Sequence, residues 1–167
     1  MNIRSYAKIN LYLDVLTKRD DGYHNIETIY QTVSLYDTLE LDKIDSDIQL
    51  TVKGADLPED EANLVVRAAQ ALRTRYDIHH GVRIVLKKSI PIAAGLAGGS
   101  GNAAATLTVL NELWDIHAPL EELQTIAATI GSDVPYCFVG GTVAGTLRGE
   151  HLAVLSELPE TWLILAH

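Results

Sequence analysis

Between Pro91 and Trp114 the chain reads PIAAGLAGGSGNAAATLTVLNELW, a glycine cluster running directly into a good helix-forming sequence. Gly95, Gly98, Gly99 and Gly101 can reach backbone angles that a Cβ forbids, and they admit a ligand close to the main chain. The helix that follows, expected over about residues 102–114, offers unpaired N–H groups and a partial positive charge at its first turn. Together these features make a phosphate cradle, with Ser100 as an added hydrogen-bond donor. The same pattern also serves tight turning and close helix packing, so the spacing leaves both readings open. The run lacks the GK[ST] ending of common phosphate loops and the G-x-G-x-x-G of dinucleotide folds. A phosphate held here takes its cationic side chain from elsewhere.

The rest of the chain frames this loop with strands and helices. Residues 3–17 contain I-N-L-Y-L-D-V-L, an alternation suited to a strand, and the turn signal RDDG follows. Residues 26–41 are rich in Ile, Val, Thr and Tyr, so an antiparallel pair turning near Tyr23 and His24 is expected. After an acidic, turn-rich stretch with a short strand at 48–52, residues 62–76 carry apolar side chains at helical spacing, with Asn63 as N-cap. A strand at 81–86 precedes the loop, and a helix at 120–130 follows its helix. Residues 134–147 read as β-rich with glycine breaks, and further strands are expected at 152–155 and 161–166. Strands, then helices, then strands again indicate a two-layer α+β fold.

A length of 167 residues fits one sizeable domain. The formal net charge of -9 argues against nonspecific attraction to nucleic acid or an anionic membrane. An anionic ligand must be held by local geometry. Cys137, the single cysteine, lies in an apolar run and reads as a buried small hydrophobe of an intracellular chain. No run is long and apolar enough for a membrane span, and MNIRSYAKIN lacks a signal-peptide core, so a cytoplasmic location is expected. The terminal TWLILAH is strand-like, which suits either internal docking or the start of another domain.

Strict alternation places Lys8, Asn10 and Tyr12 on one strand face, either as a solvated face or as a site. Asp133 follows Ile130-Gly131-Ser132 and precedes Val134-Pro135-Tyr136, where it serves as a turn former or as a base. For phosphoryl transfer to a hydroxyl, an aspartate can deprotonate the acceptor and a nearby lysine favours both anions. Helix N–H groups, a cation and Mg²⁺ would neutralise the phosphate oxygens. Tyr23 offers a flat face and His24 a hydrogen bond to a ring-bearing ligand, or the two are merely turn residues. The six histidines show no metal-binding spacing, and no residue is assigned as a metal ligand.

PIAAGLAGGSGNAAAT resembles the signature loop of the galactose, homoserine, mevalonate and phosphomevalonate kinases. AKINLYLDVLTKRDDGYHNIETIYQTVSLYDTL, ANLVVRAA and IGSDVPYCFVGGTVAGTLRGE resemble more specifically those members that phosphorylate 4-diphosphocytidyl-2-C-methyl-D-erythritol in non-mevalonate isoprenoid biosynthesis. The resemblance implies the N-terminal domain of that fold, which is like the second domain of ribosomal protein S5, over residues 1–160. Residues 161–167 would start a second domain that completes the cleft, so this length would be the N-terminal half or somewhat more and doubtful in activity alone.

By the same resemblance Asp133 is the catalytic aspartate and Lys8 its partner, Asn10 positions the methylerythritol portion, and Tyr23 and His24 contact the cytidine portion. Asn63 and Lys88 would lie near ATP, whose phosphates would be wrapped, past Pro91, by Gly95, Leu96, Ala97, Gly98, Gly99, Ser100, Gly101 and Asn102, with Mg²⁺ as cofactor. Where two adjacent serines are common in the family, this chain has Ser100-Gly101, which supplies an N–H but no second hydroxyl. A related kinase with another acceptor, or a nucleotide-binding domain without catalysis, are the alternatives.

Overall fold

The computed structural model describes residues 1–166. Strands β1 (Asn2–Lys18) and β2 (His24–Ile44) form a long antiparallel hairpin across the turn expected at RDDG. β3 (Ile48–Lys53), α1 (Leu64–Arg75) and β4 (Gly81–Lys87) follow, then α2 (Gly98–Leu113), α3 (Leu120–Ile130), the short α4 (Tyr136–Val139), β5 (Thr142–Leu147) and β6 (His151–Val154). β2 is the spine of a six-stranded sheet: β4 pairs with its second half, β5 with its first, and β1 runs along its other edge. β3 joins β4 in parallel, the one parallel pair among the described strands.

The expected two-layer α+β architecture holds. Helices α1, α2 and α3 pack on the sheet through Leu72, Leu107, Leu110 and Ala127, against Leu39, Leu41, Ile84 and Leu86. Asn63 caps α1 as its position suggests, its side chain accepting from the Val65 N–H at 3.0 Å. No helix among the described residues is long and apolar enough to cross a membrane.

An irregularity in β2 decides what reaches the helical layer. Between the pairs Tyr6–Tyr36 and Lys8–Thr32, β2 spends more residues than β1, and the alternation of β2 changes phase. Thr28 and Tyr30 before it, and Asp37, Leu39 and Leu41 after it, are all buried. Strict period-two reading of β1 fails at the same place, because Ala7 and its neighbour Lys8 are both buried.

Three expectations are corrected. α2 begins at Gly98 rather than Asn102, so the glycines form its first turn. Their low helix propensity is outweighed by packing, since a Cβ on Gly98 would stand 2.9 Å from Lys88 Nζ and 3.0 Å from Ile90 Cγ2. Part of the stretch read as β-rich is α4, started by Pro135 at φ -58° and stopped by Gly140 at φ 64°. Residues 161–166, expected as a strand, have neither helix nor strand, and His167 lies outside the described residues. Trp162 and Ile164 are almost fully exposed, so this run lacks the neighbouring strand that its apolar side chains would need.

Candidate functional site

Lys8 sits where β1 passes the glycine loop. Its backbone N–H donates to the Leu96 carbonyl at 3.0 Å, which ties strand to loop. Its side chain is only 7% exposed, so it is not a solvated strand face. A buried ammonium needs partners to offset its desolvation. Lys8 Nζ finds them in Asn10 Oδ1 at 2.7 Å, Asp133 Oδ2 at 3.5 Å and the Tyr30 ring, whose centroid lies 5.3 Å away. Asn10 in turn donates to Thr28 Oγ1 at 2.6 Å, and Thr28 to the Tyr12 carbonyl at 2.7 Å.

Asp133 lies in the turn between α3 and α4, with its side chain 32% exposed. It is a turn residue, and its carboxylate is paired with Lys8 and still partly open to solvent. The Tyr30 hydroxyl donates to Asp133 Oδ1 at 3.4 Å. Burial, and then the Asp133 charge, push the Tyr30 hydroxyl well above its ordinary range, so it remains a donor. The Cys137 thiol, beneath the same turn, is pushed up to about 12 by burial first and the Asp133 charge second. Cys137, half-buried, thus keeps its proton at neutral pH.

The loop is shaped by left-handed backbone at Ala93 (φ 57°), Gly95 (φ 74°) and Ala97 (φ 54°). For the two alanines this conformation is costly, and surrounding structure must impose it. Asp37 of β2 anchors the chain on either side of the loop. Its fully buried carboxylate accepts the N–H groups of Ser89 at 2.7 Å and Ile90 at 2.9 Å on entry to the loop. It also accepts Asn102 Nδ2 at 3.1 Å on exit, and pairs with Lys88 Nζ. Asp37 was missed in the sequence, although an acid in the alternating run Leu35, Asp37, Leu39, Leu41 signals a buried charge with a partner.

Of the residues expected near a nucleotide, Lys88 lies directly under Gly98, with its charge paired to Asp37. Asn63 uses its side chain on Val65 and Pro58, and its neighbour Leu64 packs within 3.4 Å of where a Cβ on Gly99 would stand. Gly99 is exposed and Ser100 half-buried at the start of α2, while Gly98, Gly101 and Asn102 are buried. Pro91 is exposed at the loop entrance.

Tyr23 and His24 stand apart from the Lys8–Asp133 pair, at the far end of the hairpin. His24, Thr28 and Tyr30 share one face of β2 by alternation. Thr28 lies four residue steps along the strand from His24, roughly 13 Å at about 3.3 Å per residue. The described residues thus present, in line, an exposed aromatic-imidazole end, an Asn10–Thr28 polar step, a lysine–carboxylate pair and a helix N-terminus wrapped by glycines. Such a line can hold an extended polar molecule with one hydroxyl beside the carboxylate and a phosphate beside the helix end.

Residues 63–141 match the family model of the GHMP kinases N terminal domain. A protein of Listeria monocytogenes serotype 4a (strain HCC23) named 4-diphosphocytidyl-2-C-methyl-D-erythritol kinase is 48% identical over 167 residues, covering 99% of this chain and 57% of the relative. Its namesake from Exiguobacterium sibiricum (strain DSM 17290 / CCUG 55495 / CIP 109462 / JCM 13490 / 255-15) is 50% identical over 165 residues, covering 98% of this chain and 58% of its own. The crystal structure of a 4-(cytidine 5'-diphospho)-2C-methyl-D-erythritol kinase superposes with a TM-score of 0.82 at 36% identity, over 95% of this chain and 56% of that one. The chain spans somewhat more than half the length of these relatives.

Proposed function

The chain belongs to the GHMP kinase family, and from that premise we propose that the full-length protein transfers the γ-phosphoryl group of ATP to the 2-hydroxyl of 4-diphosphocytidyl-2-C-methyl-D-erythritol, giving the 2-phosphate and ADP. The observation that carries this reading is Lys8, whose backbone is bonded to the glycine loop while its ammonium pairs with Asp133. One residue thereby joins the phosphate cradle to the base.

In this reading Asp133 takes the proton of the 2-hydroxyl as its oxygen attacks the γ-phosphorus. The bond from that phosphorus to the β–γ bridging oxygen breaks, and ADP leaves. Lys8, paired with Asp133, stabilises the developing alkoxide during transfer. Asn10, held between Lys8 and Thr28, orients the acceptor. Tyr23 and His24, at the far end of the hairpin, receive the cytosine. The α2 N-terminus, Gly95 through Asn102, cradles the ATP phosphates through backbone N–H groups and the Ser100 hydroxyl.

Asp133 is already paired with Lys8, and no group of three or more His, Cys, Asp or Glu side chains that could hold a metal occurs among the described residues. Mg²⁺ keeps its waters and binds chiefly through substrate phosphates, so it would enter with ATP. Ser100 would be the side chain reaching it, and its chemistry there is to neutralise charge on the transferring group. The unpaired cysteine is consistent with a cytoplasmic location.

The test is an assay of the full-length protein with ATP, Mg²⁺ and the cytidylyl substrate, with mevalonate derivatives as competitors. Formation of the 2-phosphate and ADP in equal amounts is expected. Preference for a mevalonate derivative would overturn the acceptor assignment, and absence of any phosphorylated product would overturn the kinase reading.

A further inference from the structure

We propose that Arg148 is a positioning residue that holds the Tyr23 ring as a platform for the substrate's pyrimidine base; this rests on the reading above. The Arg148 guanidinium carbon lies 5.3 Å from the centroid of the Tyr23 ring, a cation–aromatic stack across two separate turns. Tyr23 belongs to the β1–β2 turn and Arg148 to the β5–β6 turn, so the contact clasps the two hairpin ends together.

The backbone of Tyr23 is well held, its N–H donating to Asp21 Oδ1 at 3.1 Å and its carbonyl accepting from Arg19 at 2.8 Å. Its ring is held differently. The hydroxyl makes no hydrogen bond among the described residues, and the side chain is largely exposed, so the Arg148 stack is what fixes the ring plane. Arg148 is itself fixed by Glu150, which accepts its backbone N–H at 2.8 Å and its Nε at 3.2 Å.

A ring backed on one face by a cation has its other face free for a planar base. The next residue, Gly149 at φ 103°, leaves no room for a Cβ against the Tyr30 hydroxyl, which bonds Asp133. Successive residues of one turn therefore touch the base platform and the wall of the reacting centre. Arg148 sets the distance between the two ends of the substrate through Tyr23 rather than by touching the transferred group.

The experiment compares wild-type full-length enzyme with Arg148→Ala and Arg148→Lys in steady-state assays, with thermal melts as a check on folding. Arg148→Ala is expected to raise KM for the cytidylyl substrate roughly five- to tenfold, with kcat and KM for ATP unchanged. Arg148→Lys keeps the charge but not the plane and should fall between. Unchanged KM in both variants overturns the proposal, as does a joint loss of kcat, ATP affinity and melting temperature, which marks a merely structural residue. Wild-type enzyme that ignores the cytidylyl substrate overturns the functional reading itself, and this proposal with it.

Discussion

Lys8 Nζ and Asp133 Oδ2 stand 3.5 Å apart, the lysine buried and the carboxylate partly open, on elements that have no contact in sequence. The asymmetry matters chemically. The cation is shielded from water and so is less screened toward what approaches the carboxylate than an exposed lysine would be.

Asp133→Asn in the full-length enzyme should lower kcat by roughly 10²- to 10⁴-fold, the range for loss of a general base. KM for ATP should be little changed, because the phosphate cradle does not include residue 133. Steady-state kinetics with both substrates varied checks this, and full turnover by the variant would remove Asp133 from the chemistry.

Asp37→Asn should destabilise the full-length protein by about 3–5 kcal/mol, since Lys88 would remain buried without its counter-charge. Urea unfolding measures it. Adding Lys88→Met removes the stranded ammonium and should recover much of the loss, while the loop, now lacking its carboxylate clasp, should still bind ATP more weakly.

Gly101 and Ser5 are predicted to be coupled. A Cβ on Gly101 would stand 2.6 Å from Ser5 Oγ, a buried hydroxyl without a partner. Gly101→Ser alone should cost about 1–3 kcal/mol through overpacking. With Ser5→Ala present, the same change should be nearly neutral. A double-mutant cycle by thermal melting reads this coupling, and additive losses would refute it.

Cys137 should resist alkylation at pH 8 until the protein is unfolded. Its thiol rises from 9.0 to about 12 on burial, so the folded state binds this proton more tightly than the unfolded chain. The associated stability is present below about pH 9 and is lost as pH climbs toward about 12. Cys137→Ala should flatten that part of the alkaline stability profile, as followed by denaturant melts across the range.

Much of this was legible from local pattern. The hairpin at RDDG, the Asn63 cap and the helix over residues 120–130 follow from turn chemistry, capping and periodicity, which act over a few neighbouring residues. The start of α2 was not, because glycine propensity opposes helix there and only burial against Lys88 and Ile90 reverses the balance. For α4 the signal existed, in the Pro135 start and Gly140 stop, but the intervening Tyr-Cys-Phe-Val favours strand by composition.

Residue types and their order were enough to single out the candidate groups: a glycine-wrapped helix end, a lysine with an asparagine, an isolated aspartate. Their roles depend on distances that no local pattern encodes. A phase change in β2 turns Thr28, Tyr30 and Asp37 toward the helices together, and burial then forces each charge to find a partner. That requirement, met between distant segments, brings Lys8 to Asp133 and Asp37 to both ends of the loop.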